Sequence, residues 1–108
     1  MNDPNHNQPW SEQFRIVAKQ WVDAEAAASL LEDTKSAMLA EAMLALGDMP
    51  VSKAEMFVKG SDKWRDELRS IATHRQVANR LKVQMEYIRM KFMEWQSENA
   101  TKRAEMRL

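Results

Sequence analysis

Cysteine is absent from this chain, so disulfides and thiolate metal sites are excluded and a reducing compartment is compatible with the sequence. Glycine occurs only twice and proline three times, with Pro4 and Pro9 among the first nine residues. Few positions are therefore left to break regular structure. No run of about 18 apolar residues exists, so no membrane span is expected. The opening MNDPNHNQP is polar and lacks a basic segment followed by an apolar one, so no signal peptide is expected either. Residues 1–10 are read as a disordered tail and 11–108 as one helical domain.

What remains is dominated by Ala, Leu, Met, Glu, Lys and Arg, the composition of long helices. Sixteen basic and sixteen acidic side chains cancel. Their distribution is uneven: residues 1–50 hold three basic and eight acidic groups, whereas 51–108 hold thirteen and eight. Two halves of opposite sign suit a chain folded back on itself.

Ser11 is a candidate N-cap. From Phe14 the apolar positions run Val17, Trp21, Ala24, Ala28, Leu31, Met38, Ala42 and Ala45, with Lys35 as the one polar interruption. The alternation of three and four is a heptad seam. Lys35 is expected to snorkel to the seam's edge. Gly47, Asp48 and Pro50 predict the helix end. SKAE (52–55) has the pattern of a capping box and predicts a short helix ending at Lys59-Gly60. Ser61 then caps a last helix with Asp62 in its first turn, where the dipole favours an anion. Its seam reads Trp64, Ile71, Ala78, Met85 and Phe92 at one heptad position, and Glu67, His74, Leu81, Ile88 and Trp95 at the other, with Leu68 covering for Glu67. His74 is expected as a satisfied core histidine. Met38, Met85 and Met90 are expected as core filler.

Folding the chain about residue 53 or 54 places Glu25 opposite Lys82 and Glu32 opposite Arg75. In an antiparallel pair, like-lettered flanking positions face each other, so these charges favour that orientation. Everything after Gln96 then overhangs by about eleven residues, roughly 16 Å. Along it Ala100, Ala104 and Leu108 form a short apolar line, with Lys102, Arg103 and Arg107 beside it. This line is a candidate partner-binding element. At the tip, Met49, Val51, Met56, Phe57 and Val58 crowd a short connection. Some must plug the end of the fold, and Met49, Met56 and Phe57 are candidates for a partner contact.

Two helices share one narrow seam, yet apolar residues spread around both. Such breadth predicts an interface. The expected fold is all-α: a long antiparallel, coiled-coil-like hairpin with a short helical tip, assembled as a homodimeric four-helix bundle. Trp21, Leu31, Trp64, Leu81, Ile88, Phe92 and Trp95 are the expected core and oligomer residues.

Chemistry is sparse. The two histidines, His6 and His74, form no HExxH pattern, and the lone glycines cannot cradle phosphate. Adjacent carboxylates such as Glu32 and Asp33 point in different directions on a helix. No catalytic residue, metal or cofactor is expected. Arg65, Arg69, Arg80 and Lys91 are read as solvated surface. Weak, salt-sensitive binding of single-stranded DNA is the most that the basic half suggests.

Three segments, MLAEAML, SKAEMFVKGSDKWRDEL and EWQSENATKRAEMRL, together resemble small helical proteins of tailed bacteriophages, often encoded in DNA recombination and replication gene clusters. The resemblance covers most of residues 25–108. It implies a non-enzymatic accessory protein of the host cytoplasm that binds a protein of that machinery. Inhibition of a host nuclease or defence complex is the alternative expectation, and a structural assembly module is a third.

Overall fold

The computed structural model describes residues 9–107. Among them the chain is all-helical, in the order α1 (Trp10–Leu44), α2 (Val51–Lys59) and α3 (Asp62–Met106). Neither long helix contains glycine or proline, so nothing in either interrupts the backbone ladder. Two compact units are present. One is Ala24–Val77. The other joins Met1–Asp23 to Ala78–Leu108, of which 9–23 and 78–107 are described.

α1 starts at Trp10, one residue before the expected boundary. The Pro9 carbonyl accepts from the Glu12 and Gln13 amides at 3.0 Å, which puts Ser11 inside the first turn rather than at the cap. The end of α1 follows the sequence. Leu46 N–H donates to the Met43 carbonyl and Gly47 N–H to that of Leu44, tightening the last turn. Gly47 then adopts φ 78°, the left-handed conformation that ends the helix.

The capping box does not form. Pro50, at φ −51° and ψ 140°, takes the N-cap position, and its carbonyl accepts the Ala54 amide at 2.9 Å. α2 therefore begins at Val51, and Ser52 lies inside it, exposed. Proline, with φ already fixed, sets the helix entry before Ser52 can. Ala54 and Val58, one turn apart, form the buried face of α2. Ser61 does cap α3: its Oγ accepts the Trp64 amide at 3.2 Å and donates to the Val58 carbonyl at 2.6 Å.

Within Ala24–Val77 the two long helices run antiparallel. Arg75 of α3 meets Glu32 and Glu25 of α1, while Trp64, eleven residues earlier, shares a cleft with Met38, Ala42 and Ala45. Ala28, Ala54, Val58 and Trp64 form this unit's buried core. In the other unit the buried residues are Gln13, Val17, Ala78, Leu81 and Ile88.

The seam of α3 departs from a strict heptad. His74 is exposed, with Nδ1 donating to its own helix at the Ser70 carbonyl, 2.7 Å away, so it is not a core histidine. Arg75 is half-buried in its stead, and Leu68 is half-buried beside Glu67. A helix of 3.6 residues per turn drifts about 20° per heptad from a 3.5 repeat. Polar Glu67 and His74 do nothing to hold the inner position against that drift. Lys35 is exposed, and the half-buried neighbour is Thr34, whose hydroxyl returns to the Leu30 carbonyl at 2.9 Å.

Candidate interaction surfaces

Charge is concentrated at one bridge. Arg75 Nε donates to Glu32 Oε2 at 3.0 Å, Nη2 donates to the other oxygen of that carboxylate, and Nη1 donates to Glu25 at 2.6 Å. One guanidinium thus occupies two carboxylates one helical heptad apart. Glu25 is taken by Arg75, not by Lys82 as the register predicts, because the fork of an arginine offers donors in two directions. The guanidinium holds the Glu32 carboxyl below its ordinary range, and hydrogen bonds to Glu32 and then Glu25 raise the Arg75 pKa.

Each of the other ion pairs among the described residues lies within a single helix, Lys59 with Glu55 at 2.7 Å in α2 and the rest in α1 or α3. Arg65 lies 3.8 Å from Asp62, Arg69 3.7 Å from Asp66 and Lys91 3.4 Å from Glu94. Arg15 Nε reaches both oxygens of Glu12, at 3.0 and 3.2 Å, and lowers that carboxyl. The three pairs of α3 interleave cations with carboxylates on that helix's surface.

Tip and tail contrast. At the tip Val58 is buried and Met49 half-buried, so these two serve the fold. Met56 is 76% exposed and Phe57 62%, with Val51 exposed beside them. In the tail Ala100, Lys102, Arg103, Ala104 and Arg107 are exposed on α3, which stays helical to Met106, whereas Leu108 lies outside the described residues. Beyond Phe92 every described residue except Asn99 is exposed.

Of the expected core residues, Trp64, Leu81 and Ile88 are buried, Trp21, Leu31 and Phe92 are half-buried, and Trp95 is 49% exposed. Phe92 and Trp95 stack with centroids 6.0 Å apart. Met38 and Met85 are half-buried, but Met90 is exposed and is no filler. It joins Val83 and Tyr87 in an outward stripe at helical spacing, with the Lys91 ammonium 5.8 Å from the Tyr87 ring centre. A heptad seam registers only one face, and the sequence already places Val83, Tyr87 and Met90 off it, among the apolar residues that spread around the helix.

A cleft of about 210 Å³ in the Ala24–Val77 unit is walled by Met38, Ala42, Ala45, Val58 and Trp64, with Glu41, Lys63 and Glu67 also lining it. Two larger and more open clefts lie nearby in the same unit, one of about 600 Å³ at the tip beside Glu55, Met56 and Lys59 and one of about 450 Å³ between Lys35, Leu39, Trp64 and Leu68. Among the described residues no group of three or more His, Asp and Glu side chains is placed to hold a metal ion, and no helix is long and apolar enough to cross a membrane. The chain matches no protein-family model, no curated protein and no solved structure.

Proposed function

We propose that this chain is a non-enzymatic docking module, an accessory protein of the tailed-bacteriophage type that binds a protein of the DNA recombination or replication machinery in the host cytoplasm. The observation that carries the docking role is the outer face of α2. Met56 and Phe57 stand in solvent on a helix whose other face, Ala54 and Val58, is already buried. A large aromatic and a methionine side by side form the kind of adaptable apolar contact that protein interfaces use. The partner's class rests on the resemblance of the three segments quoted above.

The assembly is a homodimer in which two hairpins make a four-helix bundle. The exposed apolar residues support it: Leu30 and Leu44 on one unit, and Val83, Tyr87 and Met90 on the other. A protein partner is favoured over nucleic acid because the tip is apolar and because Arg65, Arg69, Arg75 and Lys91 lie against carboxylates. This leaves α3 cations such as Arg80, Lys82, Arg89, Lys102 and Arg103 without an ion-pair partner among the described residues. A phosphate strip needs cations without such neighbours.

The test is a pull-down from bacterial lysate with the tagged chain and with Met56→Glu and Phe57→Glu. The expected result is one captured protein, lost in both variants while helicity and melting temperature hold. Capture unchanged by the variants would remove the tip from the reading. Submicromolar single-strand binding at about 0.15 M salt, lost when Lys102, Arg103 and Arg107 become Ala, would replace the protein partner with nucleic acid.

A further inference from the structure

The seam of α3 does not stop where its burial stops. Ala78, Met85 and Phe92 occupy one heptad position, and the same position recurs at Asn99 and Met106. The complementary position runs Leu81, Ile88 and Trp95, then Lys102. Up to Phe92 this stripe is buried or half-buried; from Trp95 onward it stands exposed, apart from half-buried Asn99. Met106 is 88% exposed at its end. The heptad positions that pack the hairpin thus continue onto a stretch of helix with no described partner, with Trp95 and Met106 apolar and Asn99 and Lys102 polar between them. As the end of a 45-residue helix this stretch needs no nucleus of its own, but its exposed Trp95 and Met106 are apolar surface that a second strand would cover.

We propose that the second strand is the overhang of another copy of this chain, paired in parallel about Asn99. Two features choose this occupant. The first is Asn99 itself: a single asparagine at that core position of a two-stranded coil meets its symmetry mate and fixes register and strand number. The second is charge. In a parallel pair, the residue just before the core asparagine faces the residue five places later on the other strand. Here those residues are Glu98 and Arg103, so two symmetric ion pairs bracket the asparagine contact. An antiparallel pair sets like-lettered flanks together, placing acid against acid and Arg103 against arginine or Gln96. Lys102 lies on the seam, but its stem is long enough to carry the ammonium to the edge.

The pairing rests on the dimeric reading above and assigns it a register and an orientation. Light scattering at micromolar concentration tests both, with truncation after Gln96 and charge exchange as the variants. The expected full-chain mass is twice 12.6 kDa, and truncation should weaken the dimer by at least about tenfold. Glu98→Lys and Arg103→Glu should each weaken the dimer by at least about tenfold, and the double exchange should restore it. Both sites are exposed, so circular dichroism should show the fold intact. Asn99→Cys should give an oxidised covalent dimer, which Ala100→Cys should not. A truncated chain that dimerises as tightly as the full chain would overturn the tail pairing and leave the four-helix bundle standing. A monomeric full chain would overturn both. Tighter association from either single exchange would mean antiparallel strands and would overturn the proposal.

Discussion

Arg75 grips Glu32 through two nitrogens, Nε and Nη2, one to each carboxylate oxygen. The contact joins α1 to α3 across 43 residues of sequence, and the remaining nitrogen holds Glu25 at 2.6 Å. A lysine could not reproduce it, since a point charge has no fork.

The bridge makes stability depend on acid. The Glu32 carboxyl is lowered in the folded chain from an ordinary value of 4.5 by the Arg75 hydrogen bonds. A lowered folded value stabilises fully above the unfolded value and is lost as pH falls through the folded one. Melting temperature should therefore drop on acidification below about pH 4.5. Glu32→Gln should flatten part of that drop, leaving the part that comes from Glu12, lowered likewise by Arg15. Thermal melts from pH 7 to pH 2 read the difference, and superimposable profiles would refute the role of the bridge.

The indoles of Trp64 and Trp21 should respond differently to truncation. Trp64 is buried, and Trp64→Ala should cost about 3–5 kcal/mol in urea unfolding. Trp21 is half-buried, so Trp21→Ala should cost less. Its Nε1–H is buried without an acceptor among the described residues. Trp21→Phe keeps a ring and removes that donor, and should cost far less than the alanine variant. Equal losses for Phe and Ala would mean that the N–H is satisfied.

Gly47 is held by its backbone angle and not by space. At φ 78° a side chain is strained, yet a Cβ there would meet nothing within 4 Å. Gly47→Ala should cost about 1–2 kcal/mol, and Gly47→Asn less, because asparagine tolerates the left-handed conformation. Equal costs, measured in urea, would argue against a left-handed turn.

Ser61 is the one side-chain cap seen at the start of α3, and it ties that helix to the end of α2. Ser61→Ala should cost about 0.5–2 kcal/mol, and Ser61→Asp should retain most of the stability by accepting the same amide. Urea titration of the three proteins checks the order.

The helices were legible because their punctuation is. Gly47 and Pro50 close α1, Ser61 opens α3, and the pairing of Glu32 with Arg75 follows from counting residues on either side of the turn. The errors share a cause: the counting rules locate backbones and ignore side-chain reach and competition. Lys82 was expected at Glu25, but a guanidinium next along the seam reaches both carboxylates. SKAE has the form of a cap, but Pro50 stands just ahead of it with its angle already set. A 3.5-residue repeat put His74 inside, whereas a true helix turns it out. The tip was readable only as a crowd of apolar residues. Which of them face inward depends on where α2 begins, and a shift of one residue rotates every side chain by about 100°.

The overhang also has a mechanical meaning. Residues 93–106 are continuous helix, so their far end lies about 21 Å along the axis from Phe92, at a fixed azimuth. Whatever is held there is kept at a set distance and heading, as on a notched ruler. Removing one residue would swing the far end by about 100°, whereas removing seven would shorten the reach by about 10 Å and nearly restore the heading. Length and phase are thus separate settings of this segment, and a partner that reads the phase would tolerate the larger deletion better than the smaller one.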